Sequence, residues 1–303
     1  MPELEPLASV VQRLGVLLAA GVAPVSAWGY LAAVARGPDA ERVRAVADAA
    51  VGGDGITEAI AGVADSTPAN ASWRGLAAAW HVATEAGAPL APTLVELAAS
   101  LRSLAQNQRD VQTALAAPAA TARMVMALPV IGILFGIALG FDVLGTLFGT
   151  LPGLACLALG AMLMIAARWW NRRLIAAARP KRLTPGLALD LMAIAVSGGA
   201  SIPRARATVA EARKRCGLPE DGAEAQLEEV LELSRRAGAP AAGLLRSEAA
   251  EERRVARSDG ERKAARLGVT LMLPLGLCIL PAFMLLGVAP LLISVISSTA
   301  ASF

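Results

Sequence analysis

Apolar positions along this chain follow two different rules. Near the N-terminus Leu7, Val10, Val11, Leu14, Leu17 and Leu18 recur at helical spacing on one face, and Glu5, Gln12 and Arg13 interrupt any continuous run. That pattern predicts an amphipathic helix. A secretory leader would carry basic residues where Glu3 and Glu5 stand, so the expectation is a cytosolic N-terminus. Further along, three stretches become apolar throughout. The hydrocarbon core of a bilayer, ~30 Å thick, takes about 20 helical residues. The first stretch, "MVMALPVIGILFGIALGF", runs from Met124 to about Phe141 and is a little short unless Val143 to Phe148 extend it past Asp142. The second runs from Leu151 to Trp170 and closes on tryptophans, as at a membrane interface. The third, Leu267 to Ile296, exceeds one perpendicular crossing. Its Pro274, Pro281 and Pro290 predict kinks and tilt in a single span rather than two crossings. Pro129 marks a kink position in the first.

Basic residues orient these spans, because Lys and Arg near membrane ends stay on the cytoplasmic side. Arg168, Arg172, Arg173, Arg179, Lys181 and Arg182 follow the second span, Arg253, Arg254, Arg257, Arg262, Lys263 and Arg266 precede the third, and Arg123 precedes the first. The link between the first two spans has only Asp142. The predicted fold is an all-α integral membrane protein with two cytosolic antiparallel helical bundles and three transmembrane helices. Its parts are a first bundle at 1–123, a membrane hairpin at 124–170, a second bundle at 171–266, a third span at 267–296 and a short external tail at 297–303. A multi-pass arrangement in a lipid bilayer is expected, with the N-terminus cytosolic and the C-terminus outside.

The two bundle segments repeat a phrase. Ala86-Gly87-Ala88-Pro89 matches Ala237-Gly238-Ala239-Pro240, "LLAAGVAPVSA" near Gly21 matches "IAVSGGASIPRA" near Gly199, and Leu128-Pro129 matches Leu273-Pro274. Gly ends one helix and Pro permits the next. An internal duplication of bundle plus span, with one extra span to restore orientation, accounts for the pattern. The corner residues Glu85, Gly87 and Pro89, and in the second copy Arg235, Arg236, Gly238 and Pro240, are therefore candidates for a hinge or a partner contact. A tight helix corner needed only for folding and a docking surface both remain open.

With the bundle copies, the order of the spans, "GFDVLGTLFGTLPG" from Gly140 to Gly153 and "LPLGLCILPAFMLLGVAPLL" from Leu273 to Leu292, the chain resembles the type II secretion system F family of inner-membrane platform proteins. It looks most like the Tad (tight adherence, Flp pilus) branch. The resemblance implies a non-enzymatic platform that couples a hexameric cytosolic secretion ATPase to extraction of pilin or pseudopilin, alongside a second platform subunit, identical or not. The first bundle begins without the leading membrane helices of some Tad members, which leaves open which of the paired platform subunits this is. Alternatives are a small transporter or channel, and a platform of the same family serving DNA uptake.

Composition agrees with a membrane protein and narrows the chemistry. Hydrophobic residues make up 55% of the chain and charged ones 17%, with mean hydropathy +0.55, whereas a soluble domain is about 25% charged. One His and one Tyr leave little for catalysis, and neither cofactor, metal site nor catalytic residue is expected. Cys156, Cys216 and Cys278 are too scattered for a disulfide framework or a zinc site. No GxxxxGK[ST] phosphate loop occurs. "VGGDGITEAI" at Val51 to Ile60 reads as a turn and helix start rather than an anion cradle. Glu224, Glu228, Glu229 and Glu232 read as a solvated face, with Glu232 and Arg236 spaced for an i,i+4 pair. His81 reads as a packed residue, and "EARKRCG" at Glu211 to Gly217 lacks the aromatics of a nucleic-acid site. Asp142 reads as a turn charge before a proton relay, because Gly140, Gly145 and Gly149 surround it. Residues 1–123 carry 8 basic and 11 acidic side chains, and 168–266 carry 20 and 13. An acidic first bundle facing a basic second one is expected, within one chain or between subunits.

Overall fold

A computed structural model of the chain describes residues 4–37, 39–65, 70–140, 143–178, 184–219, 222–290 and 292–293. They are all-helical, 86% helix with no strand among them. Two compact units form, Met1–Arg109 with Lys181–Arg257, and Asp110–Pro180 with Ser258–Phe303.

The first unit contains α1 (Leu4–Ala19), α2 (Pro24–Val34), α3 (Ala40–Val51), α4 (Ile56–Asp65), α5 (Asn70–Glu85) and the start of α6 (Leu90–Ala138). From the later segment come α9 (Leu187–Ser197), α10 (Ile202–Arg215), α11 (Glu224–Ala237) and the start of α12 (Ala241–Thr270). α5 is its centre. Trp73, Leu76, Ala77, Ala78, Ala79, Trp80, Val82 and Ala83 are all buried, so this helix is apolar around most of its circumference and needs cover on more than one side. α1 and α4 pack on it from the first segment, α9 and α10 from the second. Trp80 also meets Trp28 of α2, ring centroids 6.4 Å apart.

The sequence divides these residues between two bundles, whereas the structure packs them around one core. Leu7, Leu14, Trp28, Ile60 and Trp73 share that core with Leu189, Leu191, Met192 and Leu245. The copies are also unequal. Four helices, α2 to α5, separate Gly21 from Gly87, and only α10 and α11 separate Gly199 from Gly238. The expected charge complementarity does appear within the unit, since Arg215 of α10 pairs with Glu58 of α4 (3.5 Å) and Arg246 of α12 with Glu96 of α6 (2.8 Å).

The second unit holds the rest of α6 and α12, with α7 (Val143–Gly149), α8 (Leu151–Ala178), α13 (Met272–Pro274) and α14 (Leu280–Phe283). Among the described residues two helices are long and apolar enough to cross a membrane, Leu151–Ala177 and Ala241–Val288. Met126–Ala138 and Val143–Gly149, bent by 115° from one another, make a third if the bent pair counts as one span. The first apolar stretch is therefore not straight through Val143–Phe148. α6 runs unbroken past Pro129 and stops at Gly140, whose φ of 85° suits a residue without Cβ. Its N–H bonds the Ile137 carbonyl (2.9 Å), closing the helix end. The Asp142 position and the tail at 297–303 lie outside the described residues.

The terminal prolines act through a specific distortion. A proline lacks its N–H and its ring collides with the carbonyl four residues earlier. Pro281 and Pro290 follow π-helical segments, Leu275–Ile279 and Met284–Val288, centred on Leu277 and Leu286, each four residues before a proline. The widened turn absorbs the collision. Thr270, four before Pro274, is the last residue of α12. The second π segment then seats against small residues. A Cβ on Gly160 of α8 would lie 2.4 Å from Leu286 Cγ, and one on Gly132 of α6 would lie 3.5 Å from Gly287 Cα.

Candidate functional site

The corner glycines Gly87 and Gly238 both have left-handed backbone, φ 68° and 63°, as do their earlier counterparts Gly21 and Gly199, φ 84° and 88°. At the first corner the Gly87 N–H bonds the Thr84 carbonyl (3.3 Å) and the Ala88 N–H bonds the Ala83 carbonyl (2.8 Å). This is a Schellman closure, which needs a residue tolerant of positive φ at the glycine. The same pair of bonds forms around Gly21, to Leu18 and Leu17.

The first corner meets the end of α9. A Cβ built on Gly198 would stand 2.2 Å from the Ala86 carbonyl oxygen and 2.9 Å from the Ala88 nitrogen, so backbone touches backbone there. Ala88 is buried, while Glu85 and Pro89 point to solvent. The second corner is open instead. Arg235, Arg236, Gly238 and Pro240 are exposed, and nothing lies within 4 Å of a Cβ at Gly238. The Ser234 hydroxyl donates to the Ala239 carbonyl (2.7 Å). Arg235 and Arg236 are brought together on one carboxylate, Glu232, with Arg236 Nε at 2.5 Å. The expected i,i+4 pair is thus present, with a second arginine on the same acid.

A polar joint that the sequence reading missed lies beneath α6, α9 and α12. Asp190 of α9 accepts hydrogen bonds from Arg253 of α12 (2.8 Å) and from the Ser100 hydroxyl of α6 (3.3 Å), and Asn107 of α6 donates to the Arg253 carbonyl (3.3 Å). The Asp190 and Arg253 side chains are only 15% and 10% exposed. Burial raises the Asp190 carboxyl above its ordinary 3.8, against the opposing pull of Arg253, Ser100 and Arg246. A cleft of about 230 Å³ opens beside it, lined by Thr93, Glu96, Ser100, Asp190, Arg246 and Arg253. A Cβ built on Gly186, which precedes α9, would stand 2.7 Å from the Ala249 carbonyl oxygen of α12, so only glycine fits this approach. The available signal was a single acid inside "LALDLMAIAV", where an unpaired charge would be costly.

The remaining candidates are paired or buried. Arg206 of α10 bonds Glu228 and lies 3.9 Å from Glu224. His81 is buried on α5. Burial pushes the Cys216 thiol up to about 11, away from the thiolate that makes a cysteine reactive. Among the described residues no group of three or more His, Cys, Asp or Glu side chains is placed to hold a metal ion. On α8, Asn171 is 4% exposed, and neither of its amide atoms has a protein partner.

Residues 10–138 match the family model of type II secretion system (T2SS), protein F. The matched stretch takes in most of α1 and all of α2 to α6, ending at the residue where α6 ends. It supports the T2SS protein F family, and with the apolar helices it suggests an inner-membrane protein of secretion or pilus machinery. No curated protein and no solved structure matches the chain.

Proposed function

We propose that this protein is an inner-membrane assembly platform for a pilus or pseudopilus, most like the Tad type, and that it catalyses no reaction itself. The observation that carries this reading is the similarity of residues 10–138 to the T2SS protein F domain. In this reading the first unit lies in the cytosol against a hexameric secretion ATPase, and the apolar helices pass motion to pilin subunits leaving the bilayer. α6 and α12 suit that transfer, since each is a long helix contributing to both units. The left-handed glycines in matching places, Gly21 with Gly199 and Gly87 with Gly238, support descent from a duplicated unit that has since lost helices from its second copy. Of the two corners, the exposed one at Arg235 and Arg236 is the surface offered to the motor. Deleting the gene should abolish surface pili, while the purified protein hydrolyses no ATP. Normal piliation in the deletion strain would overturn the reading.

A further inference from the structure

The end of α8 carries two cations that no acid balances. Arg168 and Arg172 stand one helical turn apart, exposed, with no carboxylate in ion-pair reach among the described residues. Like charges at this spacing repel, so an anion bridging them removes a cost as well as adding attraction. Arg173 is held elsewhere, its guanidinium 5.2 Å over the Trp169 ring.

The surface beside them is apolar. Ile165 lies three residues before Arg168 and seven before Arg172, on the same side of the helix, and is 70% exposed. Trp169 beside Arg168 is 62% exposed, an aromatic of the kind that sits at headgroup depth. About 20 residues from Leu151 reach Trp170, so Arg168 and Arg172 fall at the edge of the hydrocarbon layer. The α8 face that packs on the rest of the unit runs through Ala167 and Leu174. Ile175, seven residues past Arg168 on the arginine side, packs beside Leu267 and Leu271, so the open apolar column is the part before the arginines, at Ile165. Cations adjoining an exposed apolar column fit a ligand that is anionic at one end and apolar at the other.

We propose that this face of α8 is a binding site for an anionic phospholipid, its phosphate held between Arg168 and Arg172 and an acyl chain lying along Ile165. The inference rests on the membrane reading above. It differs from the general preference of basic residues for one side of a bilayer in requiring these two arginines and not their neighbours. Lys263 and Arg266 of α12, in the same unit and also exposed with no ion pair among the described residues, provide an internal comparison of equal charge.

The test is native mass spectrometry of the full chain released from vesicles of equal parts phosphatidylglycerol and phosphatidylcholine, counting retained lipids, with protease protection reporting insertion. The parent chain should retain phosphatidylglycerol preferentially. The Arg168→Gln/Arg172→Gln variant should lose about 25-fold of that preference while inserting normally, each cation near a membrane surface contributing about fivefold. Lys263→Gln/Arg266→Gln should keep most of it. Equal losses in both variants, or none in the first, would overturn the site. Displacement of the lipid by excess inorganic phosphate would show a free-anion site instead and also overturn it. A parent chain that fails to insert would overturn the membrane reading, and with it this proposal.

Discussion

The two corners share a phrase and a left-handed glycine but stand in opposite surroundings. Neither Gly87 nor Gly238 would crowd a Cβ, but the backbone on either side of Gly87, at Ala86 and Ala88, is closed against Gly198 at the end of α9, whereas the residues around Gly238 are largely exposed. The cause lies in the helices that lead to them. α5 is buried along both flanks, so whatever covers it also covers its end. α11 buries only Val230 and Leu231 and turns Glu224, Glu228 and Glu229 outward, so its end stays uncovered. A repeated phrase thus specifies a local conformation, and the neighbouring helix decides whether that conformation serves packing or remains accessible.

The largest expected effect comes from the joint that holds α9 in place, because α9 is what closes the first corner. Removing one partner of a buried ion pair leaves an uncompensated charge and costs about 3–5 kcal/mol, whereas replacing both by apolar residues is often near neutral. Arg253→Met should therefore lower the thermal midpoint of the purified protein sharply, and Asp190→Leu/Arg253→Met should restore most of the loss. The pH dependence has a definite sign. Burial already raises the Asp190 carboxyl above 3.8, so the folded chain takes up that proton before the unfolded chain does. The cost of its charge is greatest well above the folded value and relaxes as pH falls toward the ordinary one. Without Arg253 the carboxyl rises further, so the deficit of Arg253→Met should shrink on acidification. A deficit that grows on acidification would contradict this account of Asp190.

A smaller effect separates the two corners directly. Gly198 has an ordinary φ of −75° and no room for a Cβ, while Gly238 has room and a φ of 63°. Gly198→Ala forces backbone apart and should cost about 1–3 kcal/mol. Gly238→Ala meets nothing and should cost about 1 kcal/mol through its left-handed conformation alone. Equal costs by chemical denaturation would remove the distinction between a packed and an open corner.

Much of this contrast was legible in the sequence, and part was not. The left-handed turns followed from Gly before Pro, and the stops at each helix end from the same residues. The prolines announced distortion of the terminal helix, though not that a π turn centred four residues earlier would absorb it. The shared core was hidden because "AAAWHVATEAG" shows that α5 is apolar without naming its neighbours, and the cover for one side comes from residues over 100 positions away. Asp190 was overlooked for the same reason. Its partners Ser100 and Arg253 lie 90 and 63 residues distant, so no spacing rule joins them. The glycines around Asp142 announced a turn after Phe141, but not that Val143–Gly149 would leave it at 115° to the preceding helix, because apolar sequence continues on both sides and hydropathy is blind to direction.

The smallest expected effect on stability bears most on function. Arg235 and Arg236 both sit on Glu232 at an exposed helix end, with side chains 75% and 78% exposed. Pairs of this kind contribute about 0.3–0.5 kcal/mol. Reversing both to Glu gathers three carboxylates at the C-terminal end of α11, where the helix dipole also disfavours negative charge, so the total loss should be about 1 kcal/mol. The core of the first unit is not touched, because no buried side chain depends on either arginine. The double variant should therefore fold and insert as the parent does, which circular dichroism and protease protection can check. If the open corner receives an acidic surface of the motor, the variant should assemble few or no pili despite being folded, and charge reversal on the motor should recover part of the assembly. Normal piliation would return the corner to the role its counterpart at Gly87 already has, a turn that closes a helix and positions the next.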